Sequence, residues 1–254
     1  MIKSESKIMH WRDIGIAMSL LSRWPLRLSK ATYARSAHAV WAYPVAGGLI
    51  ALPVAGLALL CLGAGLPTGL SALLALAAVT ISTGAIHEDG LADSADGLWG
   101  AQCSERRLEI MHDSRVGVYG VLALIFSLAF RWFALTTLFA SGAVFGPLVV
   151  AAIVSRATPP VLMFVLPHAR ASGLSRSVGT PPGSSVALGV LSAVVLSILV
   201  LQNLFILALV AALLAGTLSA VIAKYKINGQ TGDVLGASQQ LTEISVLIAL
   251  TLTP

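Results

Sequence analysis

The sequence predicts an all-α, polytopic integral membrane bundle: about seven transmembrane helices preceded by an N-terminal interfacial amphipathic helix. Three observations carry this. Hydrophobic residues make up 57% of the 254-residue chain and charged residues only 11%, where a soluble domain carries about a quarter charged. Mean hydropathy is +0.88, so there is too little polar surface to cover the chain in water and lipid must be its main solvent. Apolar stretches of bilayer length recur from end to end, with the charges gathered between them. Residues 1–254 read as one membrane-embedded domain, with 1–36 an interfacial segment and 87–117 a cytoplasmic acidic segment.

Taken in order, residues 1–36 carry Lys3, Lys7, Arg12, Arg23, Arg27, Lys30 and Arg35, while Ile8, Trp11, Ile14, Met18 and Leu21 recur at helical spacing. That pattern suits a helix lying on the membrane surface and ending before Pro25. No cleavable signal peptide is expected, because this segment lacks an uninterrupted apolar core. Seven spans follow, at 40–62, 68–86, 118–140, 143–166, 186–202, 204–223 and 238–253. With a basic N-terminus held in the cytoplasm, the cytoplasmic connections are 87–117, 167–185 and 224–237, which hold Arg106, Arg107, Arg115, Arg170, Arg176, Lys224 and Lys226. The opposite connections, 63–67, 141–142 and 203, hold no charge. The basic pI of 9.6 therefore reflects membrane orientation, and no nucleic-acid partner is expected. Cys61 and Cys103 have no metal-ligand or disulfide-framework spacing.

The acidic stretch His87-Glu88-Asp89-Gly90-Leu91-Ala92-Asp93-Ser94-Ala95-Asp96-Gly97 concentrates four carboxylates in a chain otherwise nearly free of acids. Asp89, Asp93 and Asp96 stand at i, i+4 and i+7, one face of a helix, where like charges repel. A divalent cation reverses that sign, and hard oxygen ligands suit Mg2+. An acidic, solvated helix end is the plain alternative. Further on, Asp113-Ser114-Arg115-Val116-Gly117 pairs a carboxylate with an arginine whose planar fork matches phosphate; a loop salt bridge explains it equally. Thr231-Gly232-Asp233 lies at the expected cytoplasmic mouth of the last span. Arg131 and Arg156 fall inside predicted spans and need a counter-charge, either a substrate phosphate or a carboxylate such as Glu243. Pro159-Pro160 would kink the helix after Arg156. His87 ranks below the carboxylates as a Mg2+ ligand and is otherwise a proton-transfer candidate.

Together these runs resemble one family. His-Glu-Asp-Gly-Leu-Ala-Asp-Ser-Ala-Asp-Gly from His87, Arg-Arg-Leu-Glu-Ile-Met-His-Asp-Ser-Arg-Val-Gly from Arg106 and Thr-Gly-Asp-Val-Leu-Gly-Ala from Thr231 are similar to cobalamin synthase, the adenosylcobinamide-GDP ribazoletransferases. Leu20-Leu21-Ser22-Arg23-Trp24-Pro25 and Tyr43-Pro44-Val45-Ala46-Gly47-Gly48 resemble its early segments, so the likeness covers almost the whole chain. The His87-Glu88 opening departs from the usual pattern and leaves the role of Glu88 open; the run before Pro25 is also looser than the family's. The resemblance implies a Mg2+-dependent phosphotransferase of a bacterial cytoplasmic (inner) membrane, with N-terminus and active site facing the cytoplasm. It would join adenosylcobinamide-GDP to α-ribazole or its 5'-phosphate and release GMP, in the last steps of cobalamin biosynthesis. Homo-oligomerisation is compatible with it.

On that chemistry the expected metal ligands are Glu88, Asp89, Asp93 and Asp96. Asp96 is the candidate general base, with Asp93 and Asp113 also catalytic, and Arg115, Arg156 and Asp233 bind substrate or phosphate. A CDP-alcohol phosphatidyltransferase would use similar clustered aspartates, but its Asp-Gly-x-x-Ala-Arg opening is absent: Asp89-Gly90 runs on to Leu-Ala-Asp. An ion-coupled transporter would place acids near mid-membrane on several spans, whereas here they gather at one face. A purely structural scaffold leaves that gathering unexplained.

Overall fold

The computed structural model describes residues 9–26 and 28–252 and is helical throughout, apart from an isolated bridge between His168 and Gln230. Eleven α-helices are found among the described residues: α1 Arg12–Leu21, α2 Tyr43–Gly63, α3 Thr68–Thr83, α4 Ile86–Gly100, α5 Ser104–Ile110, α6 Val118–Ala140, α7 Phe145–Val165, α8 Leu174–Val178, α9 Gly183–Leu201, α10 Phe205–Ile227 and α11 Gly232–Leu250.

The part of the N-terminal segment that is described packs onto the bundle. Ile16, Ala17, Met18 and Leu21 of α1 are buried, against Val40, Trp41 and the start of α2. Asp13, wholly buried, fixes this arrangement by accepting from Arg35 at 3.1 Å and from the Trp41 indole at 2.9 Å. Trp11 stays exposed, and Lys3, Lys7, Ile8 and Arg27 lie outside the described residues.

Four runs are long and apolar enough to cross a bilayer: Ala39–Gly63, Val118–Ala140, Phe145–Val165 and Gly183–Ile227. The bent pair of α3 and α4 makes a fifth if it counts as one span. The Gly183–Ile227 run reverses at Gln202, where φ is +50°. Gly183 lies against Phe164 at the end of α7, and Gly146 at its start lies against Leu201, so α9 is antiparallel to α7. Gly216 then meets Thr158, and Gly229 meets Pro167, so α10 returns alongside α7. Each of the seven expected spans has a helix at its position, but length and composition do not by themselves reach seven crossings. α3 has only 16 residues. The expected span 238–253 begins earlier, as α11, which is too polar to pass as a span yet is buried over most of its length among α4, α6, α7 and α10.

The acidic stretch, expected within a connection, forms α4. Two successive left-handed residues, Gly84 (φ +66°) and Ala85 (φ +58°), end α3 and turn α4 by 88° from its axis. Alanine rarely adopts that conformation. Arg23 packs directly over Gly84, where any side chain would collide with it. α4 thus leaves the spanning direction and carries its carboxylates across one end of the bundle.

Candidate active site

Two glycines let α4 and α11 touch backbone to backbone. A side-chain carbon at Gly90 would lie 2.7 Å from the Asp233 carbonyl oxygen and 3.2 Å from Gly236 Cα. One at Gly236 would meet the Ile86 carbonyl and the Cα atoms of His87 and Gly90 at 3.3–3.4 Å. The crossing brings Asp233, in the first turn of α11, into electrostatic range of Asp89 and Asp93. Thr231 caps α11 by accepting the Val234 amide at 3.3 Å, and its hydroxyl donates to Asp233 at 3.2 Å. Asp89 is exposed and Asp93 and Asp233 are half-buried, so these three acids remain reachable from outside the bundle.

Their ionisation reflects this crowding. Burial, reinforced by the Asp89, Asp233 and Asp96 carboxylates, pushes Asp93 up to about 7, with Arg170 opposing. Asp233 is also raised, chiefly by burial, although Arg170 and the Thr231 hydroxyl pull the other way. Arg170, which sequence reasoning treated only as an orientation charge, pairs with Asp233 at 3.1 Å. Its second terminal nitrogen donates to the Leu108 carbonyl at 3.0 Å, while its buried Nε has no partner. No local sequence signal marks it, since both partners come from other parts of the chain.

Beneath this outer cluster lies a buried ionic network. Arg131 donates through both terminal nitrogens to Glu88 Oε1 at 3.2 Å and through one to Glu243 at 3.3 Å. Glu243 also accepts from Gln239 at 2.6 Å and forms a longer pair with Arg156 at 3.9 Å. Gln240 reaches Glu88 at 3.3 Å, and Ser155 accepts from Gln239 at 2.9 Å. The question left open by the intramembrane arginines is thus answered by carboxylates. Such charges survive burial only when paired. The pairing is incomplete: Glu88 Oε2 and the Nε atoms of Arg131 and Arg156 are buried without partners.

The other expected site residues are dispersed. Asp96 turns away from the cluster and caps α6, accepting the Gly117 amide at 2.7 Å and the Gly120 amide at 2.9 Å. Both of its oxygens are engaged with backbone, which neither the general-base nor the metal-ligand expectation foresaw. Glu88 faces inward to Arg131 rather than toward Asp89. Arg156 is 1% exposed, out of reach of a soluble phosphate. Asp113 and Arg115 form an exposed pair at 2.6 Å; the Arg115 guanidinium holds the Asp113 carboxyl down at about 2. Among the described residues no three His, Cys, Asp or Glu side chains converge as a ready-made metal cage. Cys61 and Cys103 are both free.

The chain as a whole is similar to known proteins. The family model described as cobalamin-5-phosphate synthase matches residues 13–251. Among curated relatives, a Bradyrhizobium diazoefficiens protein is 44% identical over 93% of this chain and 92% of its own. One from Sinorhizobium medicae is 42% identical over 95% and 97%, and one from Rhizobium meliloti 43% over 95% and 97%. All three carry the name adenosylcobinamide-GDP ribazoletransferase. No solved structure matches. A match that runs from α1 to the end of α11 takes in every element of the site, and the chain belongs to the cobalamin-5-phosphate synthase family of transferases.

Proposed function

We propose that the chain transfers the adenosylcobinamide phosphate group of adenosylcobinamide-GDP to α-ribazole or its 5'-phosphate, at the α4–α11 crossing and with Mg2+. The observation that carries this is the close approach of Asp233 to the Asp89–Asp93 stretch over the Gly90–Gly236 contact. In the reaction, a ribose hydroxyl of the acceptor forms a new bond to the phosphorus on the cobinamide side. The bond from that phosphorus to the GMP oxygen breaks, and GMP leaves with the electron pair. The hydroxyl proton must go to a base.

The donor set fits Mg2+. It consists of hard carboxylate oxygens with too little positive charge nearby to balance them, and Mg2+ is commonly held by one or two carboxylates plus substrate phosphates rather than by an all-protein cage. Asp89 and Asp233 would hold it, with Asp93 adjoining. When bound, the ion supplies charge neutralisation to the diphosphate. Asp93, half-buried beside Asp89 and Asp233, is placed to accept the proton of the attacking hydroxyl. That role passes to it from Asp96, whose oxygens hold the start of α6. Arg170, whose side chain is partly exposed beside Asp233, is better placed for a phosphate oxygen than buried Arg156 or Arg115, which is paired with Asp113. The site would face the cytoplasm of a bacterial inner membrane, on the side where the charged loops gather.

The test is GMP release from adenosylcobinamide-GDP by the purified protein in liposomes, with α-ribazole 5'-phosphate and Mg2+ each present or withheld. Release that needs both, with a joined corrinoid product, is the expected result. No release from folded protein would refute the reading and direct attention to CDP-alcohol substrates.

A further inference from the structure

The connection between α7 and α8 folds onto the turn that opens α11, and the reaction as derived leaves His168, Arg176 and Gln230 there unused. Backbone pairing joins the two segments: the Gln230 backbone amide donates to the Pro167 carbonyl at 2.8 Å, and the Ala169 amide to the Gln230 carbonyl at 2.9 Å. The Gln230 side chain is buried beneath this bridge. Its Oε1 accepts from buried Ser175 at 2.7 Å, and its Nε2 faces His168 Nδ1 at 3.0 Å. The Ser175 hydroxyl thus fixes which end of the amide carries hydrogens, and Gln230 donates to Nδ1. Burial, and then the Arg176 charge, hold His168 below the usual histidine value. The neutral ring has one proton to place, and an accepting Nδ1 leaves it on Nε2. His168 is only half-buried, and its Nε2 is open to solvent with no partner among the described residues. Arg176 is exposed and forms no ion pair among the described residues.

We propose that the His168 Nε2–H and the Arg176 guanidinium seat the 5'-phosphate of the acceptor, a second phosphate site through which the chain tells α-ribazole 5'-phosphate from α-ribazole. The inference rests on the transfer reaction proposed above. Position supports it. Gln230, which aims His168, stands three residues before Asp233, and Arg170, two residues after His168, pairs with Asp233 at 3.1 Å. The seat adjoins the acid cluster without belonging to it: the cation bearing on Asp93 and Asp233 is Arg170, whereas the one bearing on His168 is Arg176. Charge supports it as well. The reacting diphosphate belongs at the carboxylates, where a bound cation offsets them. A non-reacting phosphomonoester is repelled by those acids and is favoured one step away, where a guanidinium and an N–H donor are engaged by no carboxylate. A buried amide that fixes the tautomer and angle of a solvent-facing imidazole pre-organises a donor, which a merely structural histidine does not need. A lipid headgroup offers the same phosphate chemistry, and the test separates the two sources.

The experiment measures equilibrium binding of α-ribazole 5'-phosphate and, separately, of α-ribazole to the purified full chain, with acceptor KM from GMP release in the same liposomes. One set of liposomes is neutral phosphatidylcholine and a second includes anionic phosphatidylglycerol. Wild type is expected to bind the phosphorylated acceptor more tightly by about tenfold or more in both. His168→Phe keeps a ring and removes both nitrogens, and Arg176→Ala alters an exposed side chain. Each is expected to cut the preference about tenfold by weakening the phosphorylated acceptor alone. His168→Gln, which can return an N–H near the lost Nε2, should restore most of it. Arg176→Ala decides the matter if His168→Phe does not fold. A wild type without preference, or variants that weaken both acceptors equally, would overturn the phosphate seat and leave the transfer reaction standing. Effects confined to the anionic liposomes would assign the pair to lipid headgroups and overturn it too. Absence of GMP release from wild type with either acceptor would overturn both.

Discussion

Asp93 keeps its proton to about pH 7 because burial, and then the charges of Asp89, Asp233 and Asp96, disfavour its anion. For an acid whose folded-state value is raised, the folded form holds the proton between the usual carboxylate value of 3.8 and about 7 while the unfolded form has lost it. This group therefore favours folding at acid pH, and its contribution is lost as pH rises through that window. In the absence of Mg2+, a melting temperature that this group lowers over about pH 4–7 is expected, and Asp93→Asn should flatten that curve. Arg170→Ala should raise donor KM about tenfold or more through loss of a charge-assisted phosphate contact. The sequence pattern brought out Asp89, Asp93 and Asp233, because acids are rare in this chain. It did not reveal that Asp96 caps α6, because a carboxylate at i+7 looks the same whether it faces a metal or the start of another helix. Arg170 was invisible as a site residue, since nothing local to it points to Asp233.

α4 and α11 act as a unit through the Gly90–Gly236 contact. Gly90→Ala sets a methyl 2.7 Å from the backbone oxygen of Asp233, and backbone cannot swing aside as a flexible side chain can. The helices must part, carrying Asp233 from Asp89 and Asp93; a loss of at least a hundredfold in kcat/KM with membrane insertion retained is expected in a GMP-release assay. Asp96→Ala leaves the Gly117 and Gly120 amides without their acceptor. A cost of about 1–3 kcal/mol is expected from thermal unfolding in detergent. Hydropathy located the apolar helices well: 118–140 coincides with α6, and 143–166 differs from α7 by two residues at its start and one at its end. It said little of α4, whose turn at Gly84–Ala85 follows from two left-handed residues, one of them a non-glycine. It also placed the start of α11 six residues late, because that turn of helix is polar and is buried by neighbouring helices rather than by lipid.

Across the molecule, apolar helices surround a polar centre built mainly by α11, and the buried pairs of Arg131 and Arg156 with Glu88 and Glu243 tie α4, α6, α7 and α11 together. Arg131→Met keeps much of the volume but leaves Glu88 without its cationic partner and Glu243 with only the longer Arg156 pair; breaking a buried pair in this way costs about 3–5 kcal/mol, seen as a lower melting temperature. The network fixes the helices that present the acids, while the acids themselves lie outside it, so stability and chemistry are separable. Asp93→Asn tests that separation most directly, measured for GMP release at pH 8 with saturating Mg2+ and α-ribazole 5'-phosphate in the same liposomes as wild type. A fall of at least a hundredfold in kcat with an unchanged or higher melting temperature is the expected result. Turnover within twofold of wild type would contradict the assignment of the reaction to the α4–α11 crossing.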